Sequence, residues 1–161
     1  MMASSAIRKR PRIGDVIEIA TPKGLAYAHY THKHDKPPKF GALIRVLPGF
    51  HKVRPVSFAN LVQASPRFIT FFPLGAACSR GIVSIVANEP LPEHAAVFPT
   101  FRSGTRGKDG RVQTWWLWDG KKQWRVGALT PEMRAFPIRG VWNDTLLVER
   151  ICSGWRAEDV C

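Results

Sequence analysis

GDVIEIATPKGLAYAHY, residues 14–30, decides the fold that the sequence predicts. Two runs rich in apolar, β-branched and aromatic residues, at 14–19 and 25–30, lie on either side of the turn-forming segment TPKG. Short runs of this composition, separated by Pro and Gly, are typical of strands joined in a β-hairpin. We therefore predict two antiparallel strands with a four-residue connection.

A third strand is predicted directly after this hairpin. A loop that contains two prolines at 37–38 leads to GALIRVL at 41–47, which the Pro-Gly pair at 48–49 ends. Three consecutive twisted strands begin small barrels of the SH3-like kind, although the pattern leaves closure of the barrel open. The opening third of the chain is thus predicted to be a β-meander.

The composition supports a β-rich globular protein. Of 161 residues, 45% are apolar and 22% are charged, while thirteen Gly and thirteen Pro indicate many turns and short elements. We predict a mainly β, single small domain over 13–161, formed by twisted antiparallel strands in a partly open barrel with one to three short helices. Residues 1–12 are predicted to be a flexible basic N-terminal arm.

The cysteines and the N-terminus indicate a cytoplasmic protein. Cys78, Cys152 and Cys161 are odd in number and show no C-x-x-C spacing, so neither a disulfide framework nor a zinc ribbon is predicted. The segment MMASSAIRKRPR at 1–12 is basic, but no apolar run follows it, which argues against a secretory signal. A reducing compartment is the expectation.

One stretch, FITFFPLGAACSRGIVSIV at 68–86, has about the length and apolar character of a membrane span. Pro73, Gly75 and Arg80 interrupt its middle, and a charged side chain at that depth of a bilayer is costly. Both flanks are rich in Phe, Ile and Val. The stretch is therefore predicted to form two buried strands joined by a turn, and no membrane partner is expected.

Short helical turns are predicted elsewhere, at 58–63 and around 93–97. The polar, Gly-rich segment SGTRGKDG at 103–110 is predicted to be a hairpin loop, because it has turn composition and lacks the spacing of a phosphate-binding loop. These segments connect the strands.

The C-terminal segment is predicted to contain two short helices. Thr130 is suited to cap the first, which Pro137 ends. Residues 143–154 are predicted to form the second, capped by Asp144 and closed by Gly154. A strand is the alternative at this last position.

TWWLWDGKKQWRVG at 114–127 has four tryptophans around an Asp-Gly pair. Asp-Gly between two strand-like runs predicts a hairpin with a type I′ turn, because both central positions of that turn need positive φ. With Asp119 and Gly120 at those positions, Trp115 lies opposite Trp124. We call this segment the tryptophan hairpin.

Because successive side chains of a strand point to opposite sides, the tryptophan hairpin has two faces. The apolar face, which is predicted to lie on the core, has Trp115, Leu117, Trp124 and Val126. On the other face, tryptophans lie beside cations that can support them by cation–π contact, a combination enriched at protein interfaces. The alternative is that the C-terminal segment covers these rings. The candidate partner-binding residues of this face are Trp116, Trp118, Lys121 and Arg125.

Net charge is +12 and is concentrated near the N-terminus. Residues 1–54 contain eleven Lys and Arg against three acids, a balance of +8. The clusters RKRPR at 8–12 and HKHDKPPK at 32–39 can attract phosphate backbones or acidic protein surfaces. A solvated basic tail and loop is the alternative. Candidate partner-binding residues in these clusters are Arg10, Lys36 and Lys39.

No catalytic, metal-binding or cofactor-binding group is predicted, and we expect the protein not to be an enzyme. His29, His32 and His34 are close in sequence but lack a completing pattern of Cys or carboxylate ligands, so surface histidines in a basic loop are the expectation. Asp15 and Glu18 fall on opposite faces of the first strand, which does not suit a paired acid and base.

The order of short motifs along the chain resembles the immunity protein 26 family of bacterial polymorphic toxin systems. The similarity extends over about residues 12–150, and each motif is short. The motifs are Gly14–Asp15 before an apolar strand, Gly24 with Ala26–Tyr27, the GALIRV strand, FFPLGAA followed by RGIV, PLPE leading to FPTFR, and a late WDG followed by LTPE.

This resemblance implies a mainly β, non-enzymatic protein that binds and inhibits the toxin made beside it. The basic N-terminal arm departs from the family pattern and would suit a toxin with an acidic surface. The alternative function is a small basic β-barrel that binds nucleic acid, with aromatic rings as stacking platforms in a positive groove. A small hydrolase or transferase assembled from dispersed His and acidic residues has the least support.

Overall fold

The computed structural model describes residues 10–160, which form eight strands and three short α-helices. Residues 1–9 of the predicted arm lie outside the described residues, and Arg10 is exposed at their border. The strands are β1 Asp15–Thr21, β2 Gly24–His34, β3 Gly41–Val46, β4 Phe68–Phe72, β5 Val83–Asn88, β6 Phe101–Ser103, β7 Trp115–Trp118 and β8 Gln123–Gly127. The α-helices are α1 Leu74–Ser79, α2 Glu93–Ala96 and α3 Asp144–Ser153, and 3-10 helices span Leu61–Gln63, Met133–Ala135 and Ala157–Asp159.

The first five strands form one antiparallel sheet in the order β4-β3-β2-β1-β5, which we call sheet A. The predicted opening meander is its centre. The connection between β1 and β2 is shorter than predicted, because Thr21 pairs with Gly24 and only Pro22 and Lys23 lie between them. Gly24 has φ +125°, and a Cβ there would lie 3.0 Å from the carbonyl oxygen of His51. Glycine is therefore required at this turn.

The predicted pairing of the two strands in 68–86 is wrong. Both strands exist, but β4 and β5 lie at opposite edges of sheet A, and helix α1 rather than a turn connects them. The strands pair instead with β3 and β1, whose apolar side chains come from a distant part of the sequence. Strand β5 is also mostly half-buried rather than buried.

One face of sheet A is covered by helices α1 and α3. The cluster on this face includes Ile17, Ile44 and Phe72 from the sheet, Leu147 from α3 and the nearby Trp142. Arg150 of α3 stacks on Trp142 at 4.3 Å and on Trp155 at 4.7 Å. These contacts fix the helix on the sheet.

Helix α3 confirms the helical prediction for 143–154 and excludes the strand alternative. Its N-cap is Asn143 rather than the predicted Asp144, because the Oδ1 atom of Asn143 accepts from the backbone N–H of Leu146 at 2.8 Å. Gly154 closes the helix with φ +70°, as predicted. Near the other predicted helix, Thr130 Oγ1 accepts from Met133 N at 3.3 Å, and the helix is a single 3-10 turn.

The second face of sheet A carries two separate apolar clusters. Val16 and Tyr27 pack with Phe58 and Val62 at one end. At the other end, sheet residues pack with the second sheet in a cluster of Leu43, Phe71, Phe101 and Trp118. Buried polar side chains, including His29 and Arg45, lie on the same face.

Strands β6, β7 and β8 form a second antiparallel sheet, sheet B, in that order. The shared cluster of Phe71 from sheet A with Phe101 and Trp118 from sheet B joins the two sheets in one core. The mainly β, single-domain prediction is confirmed. Within residues 10–160, the two sheets do not close into a barrel.

Among the described residues, no helix is both long enough and apolar enough to cross a membrane.

Candidate functional site

The turn of the tryptophan hairpin differs from the predicted one. Asp119 N–H donates to the carbonyl of Lys122 at 3.2 Å, so Gly120 and Lys121 are the central residues rather than Asp119 and Gly120. The Asp119 carboxylate accepts from the backbone N–H groups of Lys121 and Lys122 at 2.9 and 2.8 Å. These bonds place Asp119 at the first position of the turn and lower the pKa of its carboxyl group.

The corrected turn moves β8 by two residues along β7. Trp116 now lies opposite Arg125, and Leu117 lies opposite Trp124. A shift of two residues preserves the alternation of side chains, so Trp116 and Trp118 still share one face with Arg125. The predicted register is therefore wrong, but the predicted assignment of side chains to the two faces is correct.

Trp118 is buried, with 6% of its surface exposed. Its ring centroid lies 4.9 Å from that of His34, 5.3 Å from Phe40 and 5.5 Å from Phe101. The guanidinium of Arg139, from the C-terminal segment, stacks on the outer side of the ring at 4.4 Å. The covering alternative thus applies to Trp118. A ring this deeply buried cannot reach a partner, so we remove Trp118 from the predicted partner-binding set.

Trp116 is exposed, with 38% of its surface accessible. It lies two residues farther out along β7, beyond the cover that Arg139 and Phe40 give to Trp118. Its cross-strand neighbour Arg125 is also exposed, as is Lys121 at the turn. An aromatic ring beside an unburied guanidinium is therefore available on this face. We call this the Trp116 face: Trp116, Lys121 and Arg125.

The opposite face of the hairpin is half covered. Trp115 is buried as predicted, under the guanidinium of Arg102 at 4.5 Å. Trp124 was predicted to lie on the core, and this is wrong: it is 40% exposed. The reason is that β8 is the edge strand of sheet B, beyond the reach of the groups that cover Trp115.

Arg102 explains how the C-terminal segment reaches this opposite face. Its fully buried guanidinium donates to the carbonyls of Arg134 at 3.2 Å, Phe136 at 3.3 Å and Ala157. These bonds hold the three carbonyls at Arg102, on the face of the hairpin that contains Trp115. Sequence analysis did not identify Arg102, although an arginine directly after the aromatic run FPTF was the available signal.

Folding brings the basic loop beside the Trp116 face. Lys36 and Lys39 are exposed in the loop between β2 and β3. The adjacent Phe40 packs on Trp118 at 5.3 Å and lies under Arg139 at 5.2 Å. The loop therefore packs on the face of the hairpin that Trp118 shares with Trp116. Arg10 is exposed and precedes β1, which belongs to sheet A, whereas the hairpin belongs to sheet B.

The prediction of surface histidines is wrong for two of the three. His29 is fully buried, and its Nε2 lies 3.0 Å from the carbonyl oxygens of Gly14 and Glu89. His34 is buried against Trp118, and burial lowers the pKa of both imidazoles. In the part of the chain that the structure describes, no three His, Cys, Asp or Glu side chains are grouped to bind a metal ion.

Arg45 is a second buried cation that sequence analysis missed. It is the fifth of the six residues of β3 and donates from Nη2 to the Nε2 atom of His94 at 3.0 Å. A charge inside the apolar strand GALIRV was the available signal.

Comparison of the chain with family models, with curated proteins and with solved structures gives no match.

Proposed function

We propose that this protein is a cytoplasmic, non-enzymatic immunity protein that binds a cognate bacterial toxin and neutralises it by protein–protein contact. The observation that carries the proposal is the exposed Trp116 ring opposite the exposed Arg125 on a hairpin whose inner rings are fixed in the core. The motifs shared with the immunity protein 26 family supply the class of partner.

The chemistry of the Trp116 face suits an interface anchor. Tryptophan and arginine are enriched among the few residues that contribute most of the binding energy at protein interfaces. Trp118, two residues along the same strand, packs on Phe101 in the core and holds the strand in one position. A rigid anchor loses little conformational entropy when a partner binds.

The charges around this face favour an acidic toxin surface. Lys121 and Arg125 on the hairpin and Lys36 and Lys39 in the neighbouring loop are all exposed. Cations at the border of an interface accelerate association with an acidic partner, and salt screens that effect. We therefore expect the association rate to fall as ionic strength rises.

A co-expression pull-down with the product of the adjacent gene tests the proposal. We expect a stable complex with the wild-type protein and loss of the complex with Trp116→Ala. Trp124→Ala is the matched control, because Trp124 is equally exposed on the same hairpin but points from the other face. Capture that is absent for the wild type, or equal for wild type and Trp116→Ala, would reject the proposed interface.

A nucleic-acid-binding module is the second candidate. It is favoured by the exposed cations Lys121 and Arg125 on the same hairpin as the exposed ring of Trp116, and by the basic loop that packs on this hairpin through Phe40. Stacking on an aromatic ring within a positive surface is a common way to bind single strands. A gel shift with mixed oligonucleotides tests it: binding at low salt that weakens with salt and with Trp116→Ala supports this function, and no shift at low salt rejects it.

A further inference from the structure

A buried arginine lies at the centre of the second face of sheet A. Arg45 is opposite His29 on β2 and Ile69 on β4, and only 3% of its surface is exposed. Its position is between the two apolar clusters of that face, where hydrophobic side chains would be the ordinary choice. A cation buried at this position is therefore expected to have a specific partner.

The partners that the described chain offers to Arg45 are incomplete. Nη2 donates to the carbonyl of Ala64 at 3.3 Å and to Nε2 of His94 at 3.0 Å, and both acceptors are neutral in these contacts. Nη1 is buried and has no hydrogen-bond partner. Within residues 10–160, no ion pair joins Arg45 to a carboxylate.

This arrangement is costly for the protein alone. Burial lowers the pKa of the guanidinium because the cationic form loses solvation there. An unpaired buried charge and an unsatisfied buried donor each reduce the stability of a folded protein. An anion that binds beside Arg45 would remove the cost of the unpaired charge.

A cavity of about 230 Å³ lies beside Arg45. Arg45, His94 and Thr31 are among its polar lining residues, whereas Leu43, Ile69 and Phe98 form much of its apolar wall. Two of the lining residues, His94 and Val97, are exposed at the surface, so a ligand has a route in. The cavity thus combines one cation with an apolar wall, at a size suited to a few heavy atoms.

We propose that this cavity binds a small organic acid, whose carboxylate pairs with Arg45 and whose short apolar stem packs against Leu43, Ile69 and Phe98. The negative charge of the carboxylate neutralises the buried charge of Arg45, which lines the cavity. The apolar wall excludes inorganic anions as the best ligands, because they would leave it without a contact. The site is separate from the Trp116 face, so this proposal does not depend on the toxin-binding proposal.

Thermal melting of the full-length protein with butyrate tests the site, at constant ionic strength maintained with chloride. We expect a saturable rise in Tm with butyrate and a smaller or absent rise with n-butanol, which has the same stem without the charge. Inorganic phosphate, a charge without a stem, is also expected to give a smaller rise. An equal rise with phosphate or butanol would overturn the proposed ligand class.

Two sets of variants locate the effect. Arg45→Met should remove the butyrate response and should not lower Tm, since it replaces an unpaired buried cation with an apolar side chain of similar length. Val97 lines the cavity and is 75% exposed, so its variants test the site without disturbing the core. Val97→Asp should weaken butyrate binding at least about fivefold by repulsion, whereas Val97→Asn should retain it within about twofold.

The Val97 pair decides the question even where Arg45→Met fails to fold. A butyrate response that is absent in the wild type overturns the proposal. A response that is the same in Val97→Asp and Val97→Asn, or that persists in folded Arg45→Met, also overturns it.

Discussion

The two sheets differ in how completely they are covered. Sheet A is packed on one face by α1 and α3 and on the other by two further clusters, so most residues of its central strands are buried. In sheet B, Trp116 of β7 is exposed while the other three residues of that strand are buried, and every residue of the edge strand β8 is exposed or half-buried. Sheet A therefore provides stability, whereas sheet B has unburied side chains available to a partner.

Both roles, packing in the core and exposure to a partner, occur within the four residues of β7. Trp118 belongs to the cluster that joins the sheets, and Trp116 lies outside it. Two residues of the same type on one face thus have different roles, because the cover supplied by Phe40 and Arg139 ends between them.

The largest expected effect comes from Trp118→Ala. Emptying this aromatic site should lower the free energy of unfolding by about 3–5 kcal/mol. Chemical denaturation of the variant measures the change. If Trp118→Ala costs no more than Trp116→Ala, the distinction between a buried and an exposed ring on this face is wrong.

A smaller loss is expected from Gly120→Ala in the turn of the hairpin. Gly120 has φ +95°, and an added Cβ would lie 2.8 Å from Cε1 of Phe98. Strain of this kind costs about 1–3 kcal/mol. Gly140→Ala is the control, because a Cβ at Gly140 would have no neighbour within 4 Å and its φ is not positive. Equal unfolding free energies for the two variants would contradict the turn geometry.

Removal of the N-cap of α3 tests how much this cap contributes to the stability of the helix that covers sheet A. Asn143→Ala removes the acceptor for Leu146 N–H and should cost about 1 kcal/mol. Asn143→Asp retains a capping oxygen and should melt close to the wild type. Thermal melting of both variants makes the comparison, and a cost shared by both would place the effect elsewhere than in the cap.

The smallest effect on stability is expected from the ion pair of Glu18 on β1, and it depends on pH. Arg54 donates to both carboxylate oxygens of Glu18 at 2.7 and 3.0 Å, and Tyr27 donates to Oε2 at 2.8 Å. The hydrogen bond from Arg54 is the main cause that lowers the pKa of Glu18 in the folded protein.

Because the pKa of Glu18 is lower in the folded than in the unfolded protein, the ionised carboxylate stabilises the fold above the unfolded pKa of about 4.3. This stability is lost as pH falls through the folded pKa. Because Arg54 is largely exposed, the contribution should be below about 1 kcal/mol. Unfolding free energies of Glu18→Gln and the wild type should converge below about pH 4. A difference that is constant from neutral to acidic pH would contradict the role of the charge.

The local parts of the fold were predictable from the sequence. Alternating apolar runs around short turns predicted β1, β2 and β3, and the caps around 143–154 predicted α3. Both signals lie within about ten residues of the structure they specify. The partners of β4 and β5 were not predictable in this way, because each pairs with a strand about 25 to 70 residues away and the intervening α1 is only six residues long.

The candidate site was predictable in part, for the same reason. Alternation placed Trp116 with Arg125 on one face, and this survived the shift in register. The burial of Trp118 depends on Phe40 and Arg139, which come from the β2–β3 loop and the C-terminal segment. Nothing within TWWLWDGKKQWRVG specifies those contacts.

The dissociation constant of the complex with the adjacent gene's product, measured for Trp116→Ala beside its unfolding free energy, tests the account most directly. We predict binding weakened at least about tenfold, the level of an interface anchor. The unfolding free energy should change by less than about 1 kcal/mol. Trp124→Ala should leave the dissociation constant within about twofold of the wild type. Unchanged binding by Trp116→Ala, or equal losses with Trp116→Ala and Trp124→Ala, would contradict the assignment of the Trp116 face as the interface.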